Sequence, residues 1–528
     1  MEKERIGFDR DVITVDPDCN SELDVSTEES ESSEEETSDE EEQDIAEEHC
    51  GYTYTREDFF EEYADKYIKF TNENPTTYHV IDFFRGILEE NGFIYIPETE
   101  RLEDTIKKTI KEEGGLYFSI RSDLTLVAFM VGGSWKESSG IGAVGTHADA
   151  LTVKLKPSSL KHTIDGYEML GVAPYAGTLN YLWTDRDLGI GGAILVREGG
   201  EIKRKNVSSS PIPIAKIPSL APHFGEVANR VYNKETQEVP VIGYGLREDP
   251  ATNEEKESPV YGKHSIDLLR YISRLSQTPL KDIVSLDLEL FDVQEATRGG
   301  IAKEFIFAPR IDDRLCSFSA IYGLIQHSKN YFSGSNTGSL KEYDGLDLVW
   351  LCDNEEIGSQ TRTSARGGFL RSVLNKVLEA KNYGNIETTF ANSIILSADV
   401  THALNPNFKN VYLDDNYPLP NTGLTLKIDS NQHVVTDSTG IALMNNIASK
   451  NSLKLQQFHI RNGSPSGSTN GPIFATETGA RVIDVGLPQL SMHSIRAACG
   501  YKEVGLGIET FSSFFKDWRQ EYAKFHYS

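Results

Sequence analysis

The sequence predicts an α/β protein with a mixed or parallel sheet in one large domain, into which a second, strand-rich domain is inserted. Three observations support this prediction. Apolar residues near the start have helical spacing, residues 153–302 consist of short apolar runs separated by Pro and Gly turns, and buried strands alternate with helical stretches afterwards. A chain of 528 residues is long enough for two large cores. We therefore expect one domain from residues 51–152 and 303–528, an inserted domain at 153–302, and a tail at 1–50.

The segment after the tail begins with helices and continues with strands. Apolar residues from Arg56 to Phe93 recur at helical spacing, and Pro75 separates two helices. Strand-like apolar runs bounded by Gly and Ser follow, at residues 117–120, 124–131 and 141–146. The first domain is therefore expected to start with a pair of helices that precedes the sheet.

The predicted insertion differs in texture from the sequence around it. Its short apolar runs alternate with Pro and Gly turns, as in P-I-P-I-A-K-I-P, and long helical periods are scarce until His264 to Leu275. After the insertion, buried-strand runs and helical stretches alternate again, which is typical of an α/β layer.

Residues 1–50 are strongly acidic. Fifteen Asp or Glu and no Lys or Arg lie within residues 22–48, so about half of the net charge of -29 belongs to this stretch alone. Such a segment repels itself and has almost nothing apolar to bury, which predicts disorder and a solubilising role. The alternative interpretation is regulation by phosphorylation, because Ser30, Ser32 and Ser33 lie among acidic residues.

Charge and cysteine content exclude several classes of protein. The net charge of -29 argues against nucleic acids and anionic membranes as partners, because both bind positive surfaces. The five cysteines are widely spaced without a C-x-x-C pair, which indicates a reducing compartment and no disulfide framework. No apolar stretch is long enough to cross a bilayer and the N-terminus lacks a signal-peptide layout, so we expect neither membrane insertion nor ordinary secretion.

Five apolar runs are each followed by residues that commonly bind metals. In open α/β sheets, ligands bind at the carboxyl ends of strands, so we expect these residues to converge on one crevice. The five groups are His147 with Asp149, Asp312 with Asp313, Glu355 with Glu356, Asp399 with His402, and His493.

The types of these side chains favour zinc. Two imidazoles and three carboxylates suit zinc or a similar borderline divalent ion better than calcium or magnesium, which prefer oxygen alone. Five ligands exceed what one catalytic zinc with an open position needs, and they fit two ions that share a carboxylate. Each residue taken alone has an ordinary structural explanation. The coincidence of five such runs in one alternating region is what indicates a metal site.

Five strings around these positions, taken in order, carry a family resemblance. They are G-T-H-A-D-A-L-T-V-K-L-K-P (145–157), F-A-P-R-I-D-D-R-L-C-S (307–317), D-N-E-E-I-G-S (353–359), I-L-S-A-D-V-T-H (395–402) and S-M-H-S-I-R (491–496). Together they resemble the family of aspartyl aminopeptidases and vacuolar aminopeptidase I. The resemblance covers nearly everything after residue 52, and K-I-P-S-L-A-P-H-F-G (216–225) and F-F-K-D-W-R (514–519) are nearest to the vacuolar branch.

The resemblance implies a fold, an activity and a cofactor. It implies a zinc exopeptidase catalytic domain with a mixed sheet, an inserted domain that forms dimers, and release of single N-terminal residues from peptides by two zinc ions per subunit. It also implies that one zinc is held by His147, Asp312 and Asp399. The other zinc would be held by Asp312, Glu356 and His493, which makes Asp312 the bridge.

Further roles follow from the resemblance residue by residue. Glu355 is implied to be the general base for a water between the two zinc ions, and Asp149 the acceptor for the second N–H of His147. His402 is implied to position the substrate, and a structural histidine is the alternative interpretation. His223 is implied to reach into a neighbouring subunit's site within a tetrahedral dodecamer built from dimers.

Two features depart from the vacuolar pattern. The first 18 residues have poor helix propensity and no clean apolar stripe, whereas vacuolar members begin with an amphipathic helix that directs them into selective autophagy. We still expect the vacuole from the overall resemblance, with the cytoplasm as the alternative and a selective-autophagy receptor as a further partner. Lys427 lies at the position where aspartyl enzymes pair a lysine with an acidic side chain of the substrate. The preferred first residue of the substrate is therefore either acidic or neutral.

Two alternatives to an active aminopeptidase are open. One is a catalytically inactive assembly or autophagy-cargo scaffold, against which the complete set of ligands and the base argue. The other keeps two-zinc chemistry but cleaves a different bond, as carboxypeptidase-like or amidohydrolase relatives do.

Overall fold

The computed structural model describes most of the chain after the acidic tail. The described residues are 55–100, 104–245, 249–332 and 339–526. The predicted tail, its three serines and two of the five cysteines lie outside these ranges, and the three described cysteines are buried free thiols. No described helix is both long enough and apolar enough to span a bilayer.

Helices and strands alternate through most of the described chain, which confirms the predicted α/β class. The α-helices are α1 (Arg56–Glu73), α2 (Thr77–Glu90), α3 (Asp104–Glu112), α4 (Ile266–Ser276), α5 (Ile311–Phe332), α6 (Phe369–Lys381), α7 (Ile386–Ala391), α8 (Ser438–Lys450), α9 (Gly471–Thr478) and α10 (Glu503–Tyr522). The strands are β1 (Ile94–Tyr95), β2 (Gly114–Arg121), β3 (Thr125–Gly132), β4 (Gly142–His147), β5 (Thr152–Leu160), β6 (Tyr167–Tyr175), β7 (Leu188–Glu198), β8 (Glu201–Ser208), β9 (Val241–Tyr244), β10 (Ile283–Asp292), β11 (Thr297–Gly299), β12 (Phe305–Ala308), β13 (Leu346–Cys352), β14 (Ile394–Ala398), β15 (Thr401–His402), β16 (Thr425–Ile428), β17 (Gln456–His459), β18 (Arg481–Gly486), β19 (Pro488–Leu490) and β20 (Ala497–Gly500).

The predicted helix pair is confirmed as α1 and α2. A capping box starts α1, in which the side chains of Thr55 and Asp58 each accept a backbone N–H of the other. Pro75 lies between the two helices because its ring cannot continue α1. The rings of Phe70 in α1 and Phe84 in α2 pack with centroids 5.3 Å apart in the core under the sheet.

A nine-stranded mixed sheet carries the main core, in the order β1-β2-β3-β13-β4-β14-β18-β16-β17. Its central strands β13, β4, β14 and β18 are parallel neighbours. Successive side chains of a strand point to opposite faces. In β3, alternate residues from Leu126 to Met130 enter one core and those from Val127 to Val131 enter the other. Helices α1, α2, α5, α8 and α10 cover the first face, and α3, α6, α7 and α9 cover the second.

A separate six-stranded sheet lies within the predicted insertion. Its order is β8-β7-β10-β5-β6-β9, and all of its pairings are antiparallel. Helix α4 contributes Leu268 and Ile272 to the core of this sheet, next to Ile194 of β7. A strand-rich unit is thus present where the texture of the sequence predicts one, and the limits at residues 153 and 302 stay predictions.

A third sheet of five short strands is not indicated by the sequence pattern. Its order is β11-β12-β20-β19-β15. Its partners are distant in sequence, since Phe305 of β12 pairs with Gly500 of β20. Apolar periodicity is a local signal and carries no information about such pairings.

A buried polar contact anchors α10 to the nine-stranded sheet. Trp518 Nε1 donates a hydrogen bond to Asp347 Oδ1 at 3.0 Å, and the Tyr343 hydroxyl donates to the other oxygen of Asp347. Trp518 and Asp347 are both fully buried. A buried carboxylate needs such donors, because an oxygen without a partner costs free energy in the folded state.

We predict that Trp518→Phe lowers the free energy of unfolding by about 1–2 kcal/mol more than Trp350→Phe does. Trp350 is a matched control, because it is similarly buried and its Nε1 has no hydrogen-bond partner among the described residues. Urea unfolding followed by circular dichroism at fixed protein concentration measures both variants. Equal losses would show that the bond to Asp347 does not stabilise α10.

Candidate metal centre

Three parallel strands of the nine-stranded sheet end beside one another. Strand β4 ends at His147, β13 leads into the turn of Glu355 and Glu356, and β14 leads into Asp399. Because the carboxyl ends of parallel strands meet at one edge, the four side chains come together there, as their positions after apolar runs predict.

The other two segments belong to the five-stranded sheet. Asp312 follows β12 at the start of α5, and His493 lies in the turn between β19 and β20. Two sheets therefore supply the site, and β20 brings these two segments together because both β12 and β19 pair with it. The side chains still converge on one crevice.

The metal-binding atoms form two groups that share Asp312. In the first group, His147 Nε2 lies 3.3 Å from Asp312 Oδ1 and 3.8 Å from Asp399 Oδ1. In the second group, His493 Nε2 lies 3.4 Å from Asp312 Oδ2 and 3.8 Å from Glu356 Oε2. Each oxygen of Asp312 thus faces a different group, and the groups have the same members as the two sets implied by the resemblance.

The spacing and chemistry of these atoms fit zinc. Ligand atoms held tetrahedrally at about 2.0–2.2 Å from one ion lie about 3.3–3.6 Å from one another. Glu356 Oε1 is buried and has no hydrogen-bond partner among the described residues, so its lone pairs are available to a cation. The residues present therefore fit two zinc ions that share Asp312.

Carboxylates outnumber cationic groups in this buried cluster. Burial raises the pKa of Glu355 to about 8, and the neighbouring Asp399 adds to the shift. Burial and the nearby Asp312 also raise the pKa of Glu356 and of Asp399. Burial is the main cause of these upward shifts, and the neighbouring carboxylates add to it. Bound divalent cations would remove the repulsion.

Asp149 holds both His147 and the turn that follows β13. Its carboxylate accepts backbone N–H bonds from Glu355 at 3.1 Å and from Glu356 at 3.2 Å, and a hydroxyl bond from Tyr175 at 2.7 Å. His147 Nδ1 lies 3.0 Å from the backbone oxygen of Asp149 and 3.4 Å from its Oδ1. The nearer acceptor is the backbone oxygen, where the resemblance implies the carboxylate. Either contact leaves Nε2 of His147 directed at the first group.

Asp313 positions two ligand-bearing segments, although it belongs to neither ligand group. It is fully buried, and its carboxylate accepts the backbone N–H of His147 at 3.4 Å and that of Val400 at 3.2 Å. Ser317, one turn further along α5, donates to the backbone oxygen of His147 at 2.8 Å. Asp313 therefore ties the end of β4 to the residue after Asp399. The only sequence signal for this role is the second acid of the Asp-Asp pair.

A cavity of about 580 Å³ opens over the cluster. Lys427 lies buried in its wall with Nζ 3.8 Å from Asp399 Oδ2. The His402 ring also lines the cavity, with its centroid 5.8 Å from that of Phe458. Desolvation in the wall and the nearby Lys427 lower the pKa of His402 to about 4. The structure thus brings Lys427 and His402 to the same cavity as the metal-binding residues.

His223 is placed away from this cavity. It lies in the 3-10 segment Pro222–Asn229, is exposed, and does not line the cavity. Its predicted contact is with a neighbouring subunit, and its role stays a prediction.

Comparison with known proteins decides the family. The sequence model of the family described as "Aminopeptidase I zinc metalloprotease (M18)" matches residues 70–515. The chain belongs to the M18 family. This M18 protein is therefore a zinc metallo-aminopeptidase, a hydrolase whose cofactor is zinc.

Two relatives resemble the M18 protein over most of its length. Vacuolar aminopeptidase 1 of Saccharomyces cerevisiae is 50% identical over 474 residues, which cover 88% of this chain and 90% of the relative. The aspartyl aminopeptidase of Aspergillus oryzae is 35% identical over 484 residues, which cover 85% of this chain and 95% of the relative.

Two solved structures also resemble the M18 protein over most of its length. The mApe1 dodecamer of Saccharomyces cerevisiae matches with a TM-score of 0.78 at 46% identity, covering 88% of this chain and 99% of that chain. A complex of Ape4 and Nbr1 contains a chain that matches with a TM-score of 0.81 at 32% identity, covering 89% of this chain and 88% of that chain. Both confirm the mixed-sheet fold of the family.

Proposed function

We propose that this M18 aminopeptidase releases single neutral or acidic residues from peptide N-termini with two zinc ions per subunit. One ion is held by the first group of ligands and the other by the second. The observation that carries the proposal is the sharing of Asp312 between two groups, with Glu355 beside them.

Glu355 is the general base and acid in this proposal. Zinc, when bound, supplies a polarised scissile carbonyl and a more acidic attacking water. Glu355 accepts the proton of that water and donates it to the nitrogen of the leaving amine. Its Oε2 lies 4.0 Å from His147 Nε2, and its side chain lines the cavity. The backbone N–H groups of Glu355 and Glu356 donate to Asp149, and these bonds hold the turn from which the Glu355 side chain extends.

Lys427 and His402 contact the substrate in this proposal. His402, on the cavity wall, offers an imidazole N–H to a substrate carbonyl. The Lys427 ammonium is buried beside Asp399 and is available to an acidic first side chain. Lys427 therefore sets the balance between acidic and neutral first residues.

The functional form is a homo-oligomer, which we propose to be a tetrahedral dodecamer assembled from six dimers that form through the inserted unit. Leu220, Phe224 and Val227 are exposed large apolar side chains on the segment around His223, as expected of a contact surface. The dodecamer of the yeast relative supports the assembly. His223 then completes the site of a neighbouring subunit.

The proposed compartment is the vacuole, after synthesis in the cytoplasm. The name of the yeast vacuolar relative supports it, and the complex of Ape4 with Nbr1 supports a selective-autophagy receptor as a partner. Permanent cytoplasmic residence is the alternative, and separation of vacuolar from cytosolic fractions distinguishes the two.

We predict that Glu355→Gln keeps its zinc but loses about 100- to 10,000-fold in kcat, because the proton acceptor is gone. Asp312→Asn loses zinc as well as activity, because both groups use its carboxylate. Elemental mass spectrometry of the purified chain and hydrolysis of aminoacyl p-nitroanilides measure the two effects. Robust turnover by Glu355→Gln would contradict the mechanism.

We predict that Lys427→Gln lowers kcat/KM for Asp- and Glu-p-nitroanilide about tenfold more than for Leu-p-nitroanilide, since a charge-assisted hydrogen bond is lost with acidic side chains only. The panel is run with and without restoration of zinc after chelation. An equal loss for all three substrates would mean that Lys427 supports Asp399 and does not select the first residue.

We predict that His223→Ala is nearly inactive alone and regains activity when co-expressed with Glu355→Gln. In a mixed dimer, one site combines an intact Glu355 with the partner subunit's intact histidine, so random pairing restores roughly a quarter of the activity. Hydrolysis per chain after co-purification measures the recovery. No recovery in verified mixed oligomers would rule out sharing of His223 between subunits.

A further inference from the structure

The cavity contains an arginine whose charge is not balanced. Arg366 lines the cavity and is exposed, and among the described residues its guanidinium has no hydrogen bond and no ion pair. Lys427, the other Lys or Arg of the cavity wall, lies 3.8 Å from an oxygen of Asp399. Arg366 is therefore a cation of the cavity wall that has no carboxylate partner within the described part of the chain, whereas Lys427 has Asp399.

A second arginine on the same loop shows the contrast. Arg362 donates through Nη1 to Ser122 Oγ at 2.6 Å and through Nη2 to Glu98 Oε2 at 3.2 Å. It does not line the cavity. Arg362 thus forms a surface ion pair with Glu98, whereas Arg366 lines the cavity.

The loop that carries Arg366 is firmly held. The buried Arg121 donates through Nη1 to the backbone oxygen of Gly367 at 2.6 Å. Thr363 Oγ1 donates to Asp353 Oδ2 at 2.8 Å, at the start of the turn that carries the proposed base. These contacts tie the backbone of the loop on both sides of Arg366 to the sheet and to the segment that leads into that turn.

The charges of the cavity match the two ends of a short peptide. Glu355 lines the cavity and belongs to neither ligand group, so its carboxylate can meet the N-terminal ammonium, and Arg366 adds a positive charge to the wall. The volume of about 580 Å³ falls within the range of sites that hold ligands of drug size, which is larger than one amino acid. The cavity therefore has room for residues beyond the cleaved bond.

We propose that Arg366 binds a carboxylate on the leaving-group side of the substrate and so determines specificity there. That carboxylate is either the α-carboxylate of a short peptide or an acidic side chain just after the cleaved bond. A guanidinium binds a carboxylate through two parallel N–H bonds, which suits either source. The inference rests on the proposed function, because it requires cleavage after the first residue.

Four tripeptides with one common first residue X test the proposal on the full-length enzyme. X is the residue released fastest from p-nitroanilides. X-Ala-Ala is compared with its C-terminal amide for the α-carboxylate, and X-Glu-Ala amide with X-Gln-Ala amide for the side chain. Chromatography of released X gives kcat/KM. We expect the charged member of at least one pair to be favoured about tenfold.

Two variants assign the effect to one arginine. Arg366→Gln reduces the favoured ratio to about 1, mainly through KM, because a charge-assisted contact is lost. Arg366→Lys keeps the charge but not the paired N–H geometry, and it retains part of the preference. Arg362→Gln is the matched control from the same loop, and it leaves the ratio and the basal activity unchanged.

Ratios near 1 in both pairs for the unmodified enzyme would overturn the proposal. A preference that persists in Arg366→Gln would overturn it as well. If the enzyme releases X from none of the peptides or p-nitroanilides, the proposed function itself fails, so the two failures are distinguishable.

Discussion

The burial of several carboxylates beside one another is the constraint on which the site of this protein depends. Asp312, Glu355, Glu356 and Asp399 meet at one crevice, where burial and the neighbouring carboxylates raise the pKa of the last three. Asp312 offers one oxygen to each of two ligand groups. In a zinc aminopeptidase, two cations sharing that carboxylate account for why so much negative charge is buried in one place.

The fold holds these groups in place through contacts with the backbone. Parallel strands deliver His147, Glu356 and Asp399 to one edge, and the small five-stranded sheet delivers the remaining ligands from the side. Asp149 and Asp313 accept backbone N–H bonds from the ligand-bearing segments, so the ligands are oriented by the protein itself. Such preorganisation raises metal affinity and fixes which nitrogen of an imidazole binds.

The sequence alone predicted the α/β class, the first two helices, the strand-rich insertion and the residues that converge on the crevice. Each of these depends on local periodicity or on residue types after apolar runs. The five-stranded sheet, the clamp made by Asp313 and the free charge of Arg366 were not predictable in this way. They depend on contacts between segments far apart in sequence, such as Asp313 with His147 or Glu98 with Arg362. The contact of His223 with another subunit is a prediction of the same non-local kind.

The sharing of Asp312 is tested most directly by locating zinc in crystals of the full chain. Diffraction recorded above and below the zinc absorption edge shows zinc as anomalous peaks, without reference to activity. We expect two peaks per chain, one beside His147 and Asp399 and the other beside Glu356 and His493, with Asp312 between them. A single peak, or two peaks of which one lies away from Asp312, would contradict it.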